Sequence, residues 1–136
     1  MLTLRVDHRA QLEREARAAF PKECCGLIEG RRDGRDLEIL AVHPCRNLAR
    51  GADEFEIDPA EHFRLMRALR GTARRIIGCY HSHPNGRTAP SSRDVAAGSE
   101  DGFLWLIVAI DDDKVSVSAQ RWKMGHFVPV LISDLE

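Results

Sequence analysis

The sequence predicts an α/β protein, a single domain of residues 1–136 in which helices flank one mixed β-sheet. Three observations carry that expectation. Two segments repeat apolar residues at helical spacing between recognisable start and stop residues; "FLWLIVAI" (103–110) is apolar on both faces, as a central strand must be; and "RRDGR" (31–35) separates two strand-like runs as a hairpin turn does. The length suits one hydrophobic core, and no apolar run approaches the roughly 18 residues that a membrane-crossing helix needs.

From the N-terminus, Asp7 is expected to cap a first helix through "HRAQLEREARAAF" (8–20), where Leu12, Ala16, Ala19 and Phe20 recur at helical spacing and Pro21 ends it. "CCGLIEG" (24–30) reads as a buried strand, Asp33-Gly34 as a turn, and "DLEILAVHPC" (36–45) as the returning strand. "EFEID" (54–58) alternates and is expected to add a third strand. Asp58 then caps a second helix with Pro59 at its first position, where a missing N–H costs nothing and φ is already set. On that helix Leu65, Met66 and Leu69 form an arc opposite Arg64, Arg67, Arg70 and Arg74, and the arginine arc reads as a solvated face. "RRIIGCYHSH" (74–83) is the next strand, and a short helix follows from Ser91 or Ser92. "FLWLIVAI", "VSVSAQRW" (115–122) and "HFVPVLI" (126–132) complete the sheet, with "DDDK" as a turn and Pro129 confining the last strand to an edge or bulge.

Composition excludes several classes. The formal net charge is -1, with 43% hydrophobic and 30% charged residues, so no global electrostatic pull toward nucleic acid or a membrane is present. The N-terminal stretch turns charged within a few residues and shows no secretory h-region. Cys24, Cys25, Cys45 and Cys79 form no Cys-x-x-Cys pair, so a cytoplasmic protein with reduced thiols is expected. Cys25 reads as core, and only Lys22 stands beside Cys24 to activate it, so a thiol nucleophile is not expected. Nor do His43, Cys45 and His126 follow a metal-site spacing.

The chemistry concentrates in "CYHSHPNGRTAPSSRD" (79–94). Alternate residues of a strand face the same side, so His81 and His83 can aim two imidazoles at one point. Pro84 ends the ladder, and the excursion from Asn85 to Pro90 can return the chain to the same place. Ser91 with Asp94 is a plausible helix N-terminus, and a helix there would set the Asp94 carboxylate near the strand end. Two imidazoles and one carboxylate are three ligands for Zn²⁺, with a fourth position left open as catalytic zinc sites leave it. Hydrolysis also needs an acid–base group; Glu23 stands at the entrance to the first strand, though on spacing alone Glu29 and Glu54 serve as well. Ser82 points to the opposite face of its strand and carries less weight.

These residues resemble the JAMM metalloproteases, also called the MPN-plus or JAB domain. The family pattern is an upstream glutamate, His-x-His-Pro, then Ser-x-x-Asp, and His81, His83, Pro84, Ser91 and Asp94 match it at every defined position. Pro21, Glu23, Cys25 and Gly26 are similar to the Pro-x-Glu-x-Cys-Gly opening of its bacterial branch. The resemblance implies a cytidine-deaminase-like sheet, one Zn²⁺ held by His81, His83 and Asp94, Glu23 as general base and acid, and Ser91 as donor to the oxyanion. It further implies a substrate class: a ubiquitin-like or sulfur-carrier protein with a Gly-Gly C-terminus, cleaved after that tail. An isopeptidase acting on modifier conjugates and a non-catalytic zinc scaffold are the alternatives. The segment from Arg46 to Asp58 is expected to offer the tail a sheet edge.

Overall fold

The structure is a computed structural model and describes residues 1–98 and 100–136. In chain order its elements are β1 (Leu2–Arg5), α1 (Val6–Ala19), β2 (Cys25–Asp33), β3 (Asp36–Cys45), α2 (Pro59–Ala68), β4 (Arg75–His83), α3 (Ser92–Ala97), β5 (Leu104–Asp111), β6 (Lys114–Lys123), β7 (His126–Val130) and β8 (Ile132–Leu135). The strands form one sheet in the order β7-β6-β5-β4-β2-β3-β1-β8. β4 and β5 are parallel, as are β1 with β3 and β1 with β8, and the other pairs are antiparallel, so the sheet is mixed as expected.

The pattern of apolar residues explains the layers. β5 is buried from Leu104 through Ile110, the signature of a strand covered on both faces. On one face α1 sets Leu12 and Ala16 against Ile28, Ile39, Tyr80, Leu106 and Val108. On the other, Leu65 of α2 meets Leu27, Cys79 and Trp105. Fully burying such aliphatic and aromatic side chains stabilises by about 1.5–3 kcal/mol apiece, which is the main force holding these layers together. The site-bearing end needs Gly26: a Cβ there would overlap the Tyr80 ring and the His43 carbonyl.

Five expectations change. β1 was not anticipated; Leu2 and Leu4 are fully buried and alternate with Thr3 and Arg5, a pattern too short to stand out in the sequence. Because β1 runs straight into α1, Arg5 occupies the N-cap with no side-chain cap bond, and Asp7 lies in the first turn, where its carboxylate accepts the neighbouring His8 N–H and pairs with Arg5 at 3.5 Å. "EFEID" is a loop rather than a strand, and "HFVPVLI" splits at Leu131 into two strands at opposite edges of the sheet. The apolar arc of α2 buries Leu65 alone; Met66 is 52% exposed, because the helix rests on the sheet along a narrow seam. Asp58 does cap α2, accepting the Ala60 N–H at 2.9 Å, and Pro59 follows it. No helix among the described residues is long and apolar enough to cross a membrane. Part of the α3–β5 connection, Ser99, lies outside the described residues.

Candidate metal centre

Strand alternation places Cys79, His81 and His83 on the α2 side of β4, with His81 opposite Cys25 of β2 and Ile107 of β5. The chain then turns at Asn85, whose carboxamide oxygen accepts the Arg87 N–H at 3.0 Å, and Gly86 takes a φ of 81° that favours glycine. Ser118 of β6 holds the returning loop by donating to the Thr88 carbonyl at 2.7 Å. α3 begins with a reciprocal cap: the Asp94 N–H donates to Ser91 Oγ at 3.1 Å and the Ser91 N–H to Asp94 Oδ2 at 2.8 Å. The cap aims the carboxylate back at the strand end, so capping and clustering are the same geometry.

Three atoms converge. Asp94 Oδ2 lies 3.1 Å from His81 Nε2 and 3.2 Å from His83 Nε2, and the two nitrogens are 3.0 Å apart. All three residues are buried. His83 Nδ1 is 2.9 Å from the Arg87 carbonyl, which can only accept, so Nδ1 carries a proton and the Nε2 of a neutral ring bears a lone pair. That lone pair faces a carboxylate lone pair, an arrangement that needs a cation or a proton between them. A tetrahedral zinc ion with bonds of about 2.0–2.1 Å holds its ligand atoms roughly 3.3–3.4 Å apart, close to the separations observed. The donor set therefore fits Zn²⁺.

Burial and neighbours tune each group. Burial depresses the pKa of His81, favouring the neutral imidazole that a metal requires. At His83 burial also pulls down, but Asp94 and the Arg87 carbonyl outweigh it and the pKa rises. Burial acts to raise the Asp94 pKa, yet the two imidazoles and the Ser91 N–H hold it well below the usual carboxylate range. Phe55 stacks on His81 at 4.3 Å between centroids and Trp105 meets the same ring edge-on at 5.8 Å, fixing its orientation.

Glu23 sits just before β2, only 6% exposed, and its Oε1 is buried without a hydrogen-bond partner. Burial, opposed by His83 and reinforced by Asp94, lifts its carboxyl to about 7. Glu29 is instead locked into an ion pair with Arg74 and His43, and Glu54 pairs with Arg93 at 3.3 Å. Two clefts share Glu23, Asp53 and Arg93: one of about 430 Å³ lined also by Phe20, His83 and Ser91, the other of about 310 Å³ lined also by Phe55 and Asp94. The structure thus brings Glu23, His81, His83, Ser91 and Asp94 to one place.

Sequence reasoning missed three supports. Ser82, given less weight, is fully buried; its hydroxyl accepts the Cys24 N–H at 2.8 Å and its N–H donates to the Cys24 carbonyl at 3.1 Å, tying the residue after Glu23 to β4. Asn47 donates to the carbonyls of Glu23 and Glu54 at 3.1 and 3.0 Å and accepts from Ala49 and Glu56, so one side chain organises residues 47–56. That network replaces the expected strand, and an asparagine after a strand was its only visible signal. Phe55, counted as a strand residue, is the lid on His81. Cys25 is buried as expected of core, as is Cys79, whereas Cys24 and Cys45 are half-buried; all are free, and burial pushes Cys24 up to about 11 and Cys25 up to about 12, the reverse of an activated thiol.

Fold and pocket together define a mixed-sheet protein in which two imidazoles and a carboxylate converge beside a buried carboxyl group. Residues 5–125 match a family described as prokaryotic homologs of the JAB domain. A desampylase of Haloferax volcanii is 30% identical over 131 residues, 93% of this chain and 91% of that relative. A CysO-cysteine peptidase of Mycobacterium bovis is 27% identical over 112 residues, 82% of this chain and 75% of that relative. The solution structure of a protein from Desulfitobacterium hafniense superposes with a TM-score of 0.89 at 29% identity, covering 100% of this chain and 94% of that one. The chain belongs to the prokaryotic JAB family, has the JAB/MPN fold, and is an enzyme of the peptidase class.

Proposed function

We propose that the protein is a zinc-dependent peptidase that hydrolyses the bond after the C-terminal Gly-Gly of a ubiquitin-like protein of the sulfur-carrier kind. The observation that carries this reading is the convergence of His81 Nε2, His83 Nε2 and Asp94 Oδ2 in a cleft shared with an unpartnered, buried Glu23. Those three atoms would hold the metal. When bound, Zn²⁺ supplies Lewis-acid polarisation and lowers the pKa of water toward about 7.

The remaining work falls to the chain. A Glu23 carboxyl poised near 7 can take a proton from the attacking water and return it to the leaving amine. Ser91 Oγ accepts the Asp94 N–H, which leaves its own O–H free to donate to the developing oxyanion. Arg87 holds the His83 tautomer through its carbonyl, and Phe55 with Trp105 excludes water from one side of His81. A Gly-Gly tail has no side chains and suits a narrow approach between residues 46–58 and α3. The names of the Haloferax and Mycobacterium relatives, a desampylase and a peptidase of a CysO-cysteine bond, support a protein-tail substrate. A cytoplasmic setting suits four free thiols.

An isopeptidase reading uses the same atoms. It is favoured by one feature: the cleft continues on both sides of Glu23, as a branched substrate requires. The test incubates zinc-loaded protein and its Glu23→Gln variant with ubiquitin-like proteins extended beyond Gly-Gly, through a peptide bond or through a lysine, and follows intact mass. Cleavage after Gly-Gly by the parent, and none by a variant that binds zinc equally, is the expected result. Zinc at one per chain without cleavage of either substrate type would leave the scaffold reading instead.

A further inference from the structure

A second concave surface lies at the opposite end of the sheet. Arg121 of β6 pairs with Leu104, whereas the metal-pocket end of β5 places Ala109 beside His83, a separation of five residues along the strand. At about 3.3 Å per residue that is roughly 17 Å. The groove there encloses about 420 Å³, and its walls include Arg35, Arg121, Lys123 and His126. Its apolar lining is unusually open to solvent: Met124 is 84% exposed and Leu131 77%.

The cations have no counter-charges. Among the described residues no ion pair involves Arg32, Arg35, Arg121 or Lys123. Arg121 Nη2 donates to the Arg35 carbonyl at 3.1 Å, but its Nε is buried with no partner at all. Burial and the neighbouring Arg32 both depress the Arg121 pKa, so holding that cation is unfavourable without an anion. Asp36 pairs with the Met1 amino group at 3.2 Å, and Asp101 accepts the Met124 N–H at 3.0 Å. With 20 basic and 21 acidic residues in the chain, the excess is local, not a general property.

We propose that this groove docks an extended segment of a partner protein that carries carboxylate and apolar side chains on the same face. Charge complementarity supplies the carboxylates and exposed Met124 and Leu131 supply the apolar contacts. β7 is the terminal strand of the sheet, with β6 as its one neighbour among the described residues, so a segment added beside it would turn every second side chain to the groove, and those must include both kinds. Concavity disfavours a membrane surface, and the groove lining includes no Phe, Tyr or Trp ring for base stacking. The site is independent of the metal pocket and of the activity proposed for it.

The experiment measures fluorescence anisotropy of a labelled peptide of Glu-Glu-Leu-Leu repeats, which sets both kinds of side chain on each face of a strand, against peptides carrying lysine for glutamate or serine for leucine, a single-stranded oligonucleotide and phosphatidylserine vesicles. The zinc-loaded parent and Glu23→Gln should bind the first peptide equally and the controls weakly, with affinity falling as salt rises. Arg35→Glu combined with Lys123→Glu, both at exposed positions, should weaken binding about ten-fold or more while metal content is unchanged. Arg121→Gln provides a milder variant whose fold is checked by circular dichroism. No binding by the parent, equal binding by the double variant, or preference for the oligonucleotide or vesicles would overturn the proposal.

Discussion

At the scale of single residues, the site depends on side chains whose surroundings disagree with their ordinary chemistry. Glu23 is the sharpest case: its ordinary value of 4.5 rises to about 7. A raised carboxyl means that the metal-free native state binds a proton that the unfolded chain has already released. Stability should therefore fall as pH climbs from about 4.5 to about 7. Glu23→Gln escapes that loss, so its stability advantage over the parent should grow across the window and level off above it, as urea denaturation in a pH series would show. Asn47 works by position: three of its hydrogen bonds order residues 47–56 and a fourth ties them to the Glu23 carbonyl. Asn47→Ala should cost about 1–3 kcal/mol in urea denaturation and lower kcat/KM while zinc stoichiometry is kept. The convergence of His81, His83 and Asp94 was legible in the sequence because strand alternation and a capping motif are local rules. Ser82 and Asn47 were not, because each acts on a main chain distant in sequence, Ser82 on Cys24 and Asn47 on Glu23.

At the scale of elements, helix starts were read well where a side chain caps them and poorly where tertiary structure does. Asp58 and Ser91 cap α2 and α3 as their sequences suggest, whereas α1 grows directly out of a buried strand and has no side-chain cap. Asp58→Ala should thus cost about 1 kcal/mol of stability and leave zinc binding alone, since α2 supplies no ligand. Ser91→Ala removes a comparable cap but also the group that sets Asp94, so it should lower both stability and zinc affinity, measured by chelator competition. The contrast separates capping from positioning. "EFEID" shows how periodicity misleads: Phe55 and Ile57 do pack inward, against His81 and the core around Trp105, but from a loop pinned by Asn47 instead of a ladder. The split of β7 from β8 was invisible because a single residue, Leu131, changes which edge of the sheet the chain follows.

At the scale of the whole molecule, the metal should act as a structural ligand besides any chemical role, because its three donors join the end of β4 to the start of α3. Free zinc at 100 times its Kd would add about 2.7 kcal/mol, a rise of roughly 5–11 °C in Tm for a domain of this size. Chelation should remove that increment and added zinc restore it in a thermal melt; an unchanged melt would argue against zinc at these residues. The mixed α/β class followed from the order of helical and strand patterns, yet the strand order did not, since pairs such as β1 with β8 join opposite ends of the chain. That last pair has a mechanical consequence. β1 and β8 run parallel in the register Leu2 with Ile132 through Arg5 with Leu135. Tension drawn through the chain ahead of β1 and beyond β8 would slide one strand along the other, loading every bond of the ladder together rather than peeling them singly. The cleft proposed to act on protein tails is thereby mounted on a sheet whose first and last strands brace each other under pull.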